Sequence, residues 1–175
     1  MCIMVNAVNT TTIDLVKRVS KTLRPTGAER AQTLQFADPC DDAQMAAAED
    51  ALDLALPESL QTFLRAFGGI ALPAQLGVVN VFGTLGARDG SPVFDIVKQT
   101  TRGRKQHGLG HAYIVVGIGA DPREWFCIDT HRENAAGEHP IVMFDSVDNA
   151  VDQRFYESFD EMVNEVMAFV AETLA

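Results

Sequence analysis

The chain has 175 residues, 47% of them hydrophobic and 22% charged, which is the length and composition of one ordinary globular domain. Its formal net charge of −10 argues against direct binding to nucleic acid or to an anionic membrane surface, because both require a basic face. An acidic surface can serve solubility alone, or it can attract a basic protein partner over long range.

The N-terminal part of the chain is predicted to form one helix followed by a loop. Hydrophobic residues at helical spacing indicate a helix from Thr12 to Leu23, capped at its start by Thr12 and ended by a Pro-Thr-Gly sequence. Residues 25–42 are interpreted as a loop that can hold a short helix around Arg30 to Phe36. We expect residues 1–40 to be this N-terminal helix and loop, in the same globule as a domain formed by residues 41–175.

Two further helices are predicted to follow and to meet at a corner. The first begins after the Asp41–Asp42 pair, either member of which can cap it, and covers Gln44–Leu54, a stretch rich in good helix formers. The second begins at Pro57, because proline suits a first helical position, and it ends at the Gly68–Gly69 pair, since glycine adopts the left-handed conformation easily. Its apolar stripe requires cover from another element and consists of Leu60, Phe63, Leu64 and Phe67.

The middle of the chain is predicted to contain a short strand, a helix and then three strands. The short strand lies in Val78–Phe82 and the helix in Val93–Lys105. Three strands follow at Tyr113–Ile118, Glu124–Asp129 and Ile141–Phe144, and their short connections favour antiparallel pairing. The helix is expected to carry a basic, solvated end made of Lys98, Arg102, Arg104 and Lys105.

The last helix has the clearest sequence signals. The sequence Ser158-Phe159-Asp160-Glu161 fits a capping box, in which the serine and glutamate side chains satisfy free amides at the helix start. A stripe at spacings of three and four residues predicts that one face covers a sheet or other helices, and it consists of Phe159, Met162, Val163, Val166, Phe169, Val170 and Leu174.

These pieces, in this order, resemble the SUKH superfamily, whose members include the Smi/Knr cell-wall regulators. The matching stretches cover about residues 43–172, and the turn at Asp121–Glu124 departs from the Gly-rich turn usual in the family. The stretches are Met45–Leu54, Leu56–Leu60, Phe63–Leu64, Phe67–Gly69, Gly77–Gly83, Phe94–Val97 with Thr100 or Thr101 and Arg102, Ile114–Gly117, Trp125–Thr130, Gly137–Val142, Phe144–Asp145, Phe155 and Ser158–Phe159. The resemblance implies an α+β fold in which helices pack on a mainly antiparallel sheet.

The resemblance also implies a function without catalysis. Bacterial members are mostly immunity proteins, each of which binds and blocks a toxin of its own lineage, often a nuclease. The family offers no shared catalytic or contact residues to transfer to this chain. We expect stoichiometric capture of a cognate protein toxin, such as a basic nuclease, over roughly 1,200–2,000 Å² of interface, with no cofactor. The alternatives are a regulatory scaffold of the Smi/Knr type and a small metal-dependent enzyme that uses His107, His111 and His131.

Residues capable of catalysis give weak signals. His107 and His111 are four apart, with Asp129 and His131 further on, but glycines between the first two argue against a helix that presents both to a metal ion. Cys127 with His131 could suggest a thiol nucleophile, but a cysteine in the middle of a strand is usually buried and inert. We therefore predict neither an enzyme nor a metal site.

The cysteines and the N-terminus bear on the cellular compartment. Cys2, Cys40 and Cys127 are too few and too scattered for a disulfide framework, which favours a reducing cytoplasm. The first residues lack the basic and apolar regions of a signal peptide, and no stretch of about 18 apolar residues predicts a membrane span.

Four residues are candidates for partner binding. Trp125 either packs within the sheet or marks an exposed anchor for a partner. The chain from Glu138 onward contains nine acidic residues but only one Lys or Arg, which is Arg154. The acidic residues can be simply a solvated helix face. Alternatively, Asp145, Asp148 and Asp152, in a predicted loop before the last helix, meet a basic cleft of the toxin and speed its association.

Overall fold

The computed structural model describes residues 7–22 and 33–174, which form five α-helices and seven β-strands. The helices are α1 (Ala7–Thr22), α2 (Asp42–Leu52), α3 (Glu58–Phe67), α4 (Ile96–Gln106) and α5 (Phe159–Leu174). The strands are β1 (Gln35–Phe36), β2 (Ile70–Ala71), β3 (Val81–Phe82), β4 (Tyr113–Ile118), β5 (Glu124–Asp129), β6 (Ile141–Asp145) and β7 (Ala150–Tyr156). None of the described helices combines the length and the hydropathy needed to cross a bilayer.

All seven strands join in one antiparallel sheet whose spatial order is the order of the chain. The three predicted strands are confirmed as β4, β5 and β6, and their antiparallel pairing is confirmed as well. β1, β2 and β3 have only two residues each and extend the sheet on the β4 side. The α+β class with a mainly antiparallel sheet is therefore confirmed.

The strand β7 corrects the sequence interpretation, which places Asp145, Asp148 and Asp152 in a loop. Asp145 ends β6, Asp148 lies in the turn, and Asp152 lies within β7. Six of the seven β7 residues are exposed, because the strand forms the edge of the sheet. Such a strand lacks the buried apolar alternation that makes a strand recognisable in sequence.

The main core lies between one face of the sheet and helices α1, α2, α3 and α5. Phe63 of α3, Phe82 of β3 and Phe159 of α5 meet edge to face, with ring centroids 5.2 to 6.0 Å apart. This arrangement is favourable for aromatic rings beyond the area that they bury. The predicted apolar stripe of α3 is confirmed as buried, and the sheet contributes Ile114, Val116, Phe126, Ile128 and Ile141.

The other face of the sheet carries a smaller apolar cluster. Side-chain alternation along β5 places Trp125 and Cys127 in this cluster and Phe126 and Ile128 in the main core. α4 lies beside β4 beyond the end of β3, where the backbone N–H of Val115 donates to the Thr100 hydroxyl at 3.0 Å. The small cluster is completed by Leu109, Val115, Val142 and Phe144.

The start of α1 differs from the prediction. The helix begins at Ala7, so Thr12 lies inside it and does not cap it. Thr12 is buried, and its side chain hydrogen-bonds Asp160 of α5. The short helix suggested around Arg30 to Phe36 is not found where the chain is described, since Thr33 and Leu34 are not helical and Gln35–Phe36 forms β1. Residues 23–32, which include the predicted end of the first helix at Leu23, lie outside the described residues.

The start of α2 and the end of α3 agree with the prediction, whereas α2 ends at Leu52 and not at Leu54. Asp41 caps α2 in a reciprocal capping box with Gln44, each side chain accepting a hydrogen bond from the backbone N–H of the other residue. α3 begins at Glu58, one residue later than predicted, so that Pro57 immediately precedes the helix. Gly68 ends α3 with a φ of +66°, a conformation that glycine adopts without strain.

The basic end of α4 is solvated only in part. α4 begins at Ile96, after Asp95, whose carboxylate accepts from the backbone N–H of Lys98 at 3.0 Å. Arg104 donates to the carbonyl oxygens of Leu52 at 2.9 Å and His111 at 2.6 Å. This arginine therefore joins the end of α2 to the chain before β4.

Candidate functional site

The β6–β7 hairpin carries the three aspartates that were predicted to bind a partner. Asp145 organises the turn, because its carboxylate accepts from the backbone N–H groups of Val147 at 2.8 Å and Asp148 at 3.0 Å. Asn149 completes the turn with a φ of +52°, which asparagine tolerates better than most residues. The hairpin is thus fixed by side-chain chemistry at both ends of its turn.

Asp145 is engaged within the protein. Its side chain is only 15% exposed and lies 3.3 Å from Arg123. The backbone hydrogen bonds from Asp148 and Val147, with the nearby Arg123 charge, lower the pKa of Asp145 below its ordinary value. The carboxylate therefore stays ionised and holds the turn, so it offers little charge to a partner.

Asp148 and Asp152 are exposed and form no ion pair among the described residues. Hydrophobic residues separate them, with Val147 65% and Val151 42% exposed. We call the exposed residues Val147, Asp148, Val151, Asp152 and Phe155 the hairpin surface. It combines apolar side chains with uncompensated negative charge at the edge of the sheet.

Trp125 is not an exposed anchor. It is 3% exposed, its ring lies against His107 and Phe144, and its indole N–H donates to the Pro122 carbonyl at 3.1 Å. Of the two interpretations of this residue, packing within the sheet is the one that the structure supports. Its hydrogen bond also fixes the turn between β4 and β5.

His107, His111 and Cys127, the candidate residues for metal binding or catalysis, have separate surroundings. His107 packs edge-on to Trp125 with ring centroids 5.1 Å apart, and His111 lies 3.7 Å from Asp53. Where side chains are described, no three of His, Cys, Asp and Glu come close enough to bind a metal ion. Cys127 is fully buried, and burial raises the pKa of its thiol far above the ordinary value, which disfavours a nucleophilic thiolate.

A groove of about 330 Å³ lies beside the hairpin surface, between the end of β7 and α5. An irregularity in the pairing of β6 with β7 leaves Phe155 as an extra residue, because Ile141 pairs with Tyr156 and Val142 with Arg154. Such a bulge lets two neighbouring side chains share one face. The groove is lined by Gly77, Val78, Val79, Ala120, Glu124, Phe126, Phe155, Tyr156, Glu165, Val166 and Phe169.

Sequence reasoning missed the aromatic residues of this groove. Phe155 is 42% and Phe169 41% exposed, although Phe169 belongs to the apolar stripe predicted to be buried in α5. A signal for β7 was present, since aspartate and asparagine typical of a turn precede Val151, Phe155 and Tyr156, which favour strands. No local pattern could indicate that Phe155 and Phe169 meet at one groove.

Comparison with known proteins gives one family match. The family model SUKH_5, described as SMI1-KNR4 cell-wall, matches residues 14–168. The match begins within α1 and ends within α5, so it includes every strand of the sheet. It also extends the resemblance noted in the sequence, which begins at about residue 43. No curated protein matches the chain.

Proposed function

The chain belongs to the SUKH family, and membership is compatible with an immunity role or with a Smi/Knr-type role in protein interaction. We propose that it is an immunity protein that binds and neutralises a cognate protein toxin. Neutralisation requires only that the bound protein block the path of the toxin's substrate. The immunity protein then acts stoichiometrically and supplies no catalytic group.

The observation that carries the proposal is the grouping of exposed apolar residues. Four of the five exposed large hydrophobic residues in the described part of the chain lie on the hairpin or on α5: Val147, Val151, Phe155 and Phe169. Phe155 and Phe169 line one groove, and exposed apolar residues that lie together mark interaction sites more often than do residues scattered singly. Asp148 and Asp152 are exposed on the same hairpin and add negative charge to this edge of the sheet.

The charge of the protein favours a basic toxin. The chain carries a net charge of −10, and Arg154, the one Lys or Arg after Glu138, pairs with Glu157. A basic toxin, such as a nuclease with a cleft for nucleic acid, would be attracted to this end of the molecule. Electrostatic complementarity of this kind raises the association rate and fixes the orientation of the partner.

The proposal is tested with the neighbouring gene. An immunity gene is expected to lie beside a gene for a toxin that has a delivery domain. Expression of that toxin in a host cell should arrest growth, and co-expression of this chain should restore it. Purification should yield a complex of fixed stoichiometry. A toxin that kills equally in the presence of this chain, without forming a complex, would contradict the proposal.

The scaffold alternative has support in the family description, which names cell-wall proteins of the SMI1-KNR4 type. A scaffold is expected to lack a neighbouring toxin gene and to bind several cellular proteins in a pull-down experiment. The enzyme alternative predicts stoichiometric metal in the purified protein, which a His111→Ala variant should lose. We propose binding without catalysis because His107 packs against Trp125 whereas His111 lies 3.7 Å from Asp53, so the two histidines have different neighbours.

A further inference from the structure

The groove between β7 and α5 combines two features that are rarely left together without a partner. Phe155 and Phe169 line it from different elements, and both keep about two fifths of their side-chain surface exposed. Glu124 and Glu165 line it as well, and neither forms an ion pair with a described residue. No Lys, Arg or His is among the described residues that line the groove.

Glu124 is held at the groove by close packing. A Cβ atom at Gly119 would lie 2.9 Å from the Glu124 carboxylate and 3.1 Å from its Cβ, so glycine leaves the space that this side chain occupies. Phe126 lies alongside and contacts Phe155 edge-on, with ring centroids 5.8 Å apart. The carboxylate is therefore positioned next to aromatic surface.

Glu165 makes the other side of the groove negative. It lines the groove together with Tyr156, whose pKa is raised by burial and further by the charges of Glu165 and Glu161. A neutral apolar side chain in the groove would cover the exposed phenylalanine rings but would leave the two carboxylates without a partner. A side chain with an aliphatic stem and a cationic end would cover the rings and also pair with the carboxylates.

Resting on the function proposed above, we propose that this groove receives an arginine side chain, flanked by apolar residues, from the toxin. The guanidinium group is planar, stacks on aromatic faces and pairs with carboxylates in a fixed geometry, so it matches phenylalanine and glutamate at once. The groove, at about 330 Å³, lies at the small end of the range for ligand sites, which suits one side chain with its neighbours. Phe155 belongs both to this groove and to the exposed edge strand β7.

A peptide titration tests the groove without knowledge of the toxin. The full chain, labelled with ¹⁵N, is titrated with acetyl-Leu-Arg-Leu-amide and with the matched peptide acetyl-Leu-Glu-Leu-amide. We expect saturable shifts of backbone amides in Gly77–Val79, Ala120 and Phe155, with the arginine peptide bound about tenfold more tightly. Equal binding of both peptides, or shifts spread over the whole acidic surface, would overturn the proposal. Binding that begins only after deletion of residues 1–6 would assign the groove to the chain's own N-terminus and would also overturn it.

Matched variants locate the effect. The double variant Glu124→Gln with Glu165→Gln should lose the preference for arginine, whereas Glu133→Gln with Glu172→Gln removes two exposed carboxylates outside the groove and should keep it. Phe169→Ala should weaken binding of the peptide, and Phe36→Ala, an equally exposed phenylalanine at the β1 edge, should not. A peptide that binds all four variants as it binds the wild type would contradict the assignment.

The toxin from the neighbouring gene separates this inference from the proposed function. If the wild-type chain neutralises the toxin and the Glu124→Gln, Glu165→Gln and Phe169→Ala variants do so with the same affinity, the groove is not the binding site, although the immunity function stands. If the wild-type chain does not bind the toxin, the proposed function fails whatever the peptides show.

Discussion

Asp160 is a carboxylate in an unusually buried environment. It lies in the first turn of α5, is 4% exposed, and hydrogen-bonds Thr12 of α1. Burial, with repulsion from Glu138, raises its pKa from 3.8 to about 6. The folded state therefore binds this proton below about pH 6 and the unfolded state only below about pH 4. As the pH rises from 4 to 6, the unfolded state loses this proton more readily than the folded state does, so the free energy of unfolding falls. The whole of this decrease is present at pH 7.

Asp160→Asn should remove this penalty and keep an acceptor for Thr12. A shift of about two pKa units corresponds to at most about 3 kcal/mol, so we expect the variant to be more stable than the wild type at pH 7 by up to this amount. The advantage should vanish near pH 4. Urea unfolding between pH 4 and 7 measures it.

Asp152→Asn, an equivalent change at an exposed site, is the control and should leave the pH profile almost unchanged. An Asp160→Asn variant less stable than the wild type at pH 7 would show that the buried charge is compensated in the folded protein.

At the scale of elements, the junction after α3 depends on one glycine. Gly68 ends α3 with a positive φ, and a methyl group in its place would overlap the carbonyl oxygen of Asp38, in the segment that leads to α2. The same region is tied by a hydrogen bond from the Cys40 backbone N–H to Leu64 at 2.9 Å. The chain before α2 therefore packs directly on the end of α3.

Gly68→Ala should lower the free energy of unfolding by more than about 2 kcal/mol, because it combines an unfavourable backbone conformation with a backbone clash. Gly108→Ala is the matched control, since Gly108 has the same φ of +66° but open space at the Cβ position. It should cost about 1 kcal/mol, the conformational part alone. Equal losses in the two variants, measured by chemical denaturation, would mean that Asp38 moves away at no cost.

At the scale of the whole molecule, charge is unevenly distributed. The nine acidic residues from Glu138 onward belong to the hairpin, α5 and the chain around them. Of the three aspartates predicted to meet a partner, Asp145 serves the turn, whereas Asp148 and Asp152 remain available. The negative field at this end is thus a property of the folded surface that a partner would meet first.

The double variant Asp148→Asn with Asp152→Asn should slow association with the toxin several-fold at low salt, with little effect on dissociation. The difference should shrink above 0.1 M salt, where the screening length falls below about 10 Å. Stopped-flow kinetics over a range of salt concentrations measures both rates. Asp50→Asn with Glu58→Gln makes the same change in net charge on α2 and α3, and should have less effect. If the two pairs slow association equally, only net charge matters.

The sequence by itself determined the features whose causes lie within a few residues of one another. The cap at Asp41, the glycine stop at Gly68, the capping interaction of Glu161 with Ser158, and the two-sided alternation of β5 all depend on near neighbours. The family resemblance arises from the order of these same local pieces, and the matching family model confirms it.

Only the tertiary structure decided the remainder. The two-residue strands β1 to β3 form because neighbouring strands supply their hydrogen bonds. β7 is a polar edge strand, and its sequence lacks the apolar alternation that would predict a strand. Asp160 meets Thr12, and Phe155 meets the groove shared with Phe169, across separations that no short sequence window spans. Local periodicity and capping act over about four residues, whereas burial, pKa shifts and surface grooves depend on side chains brought together by the completed fold.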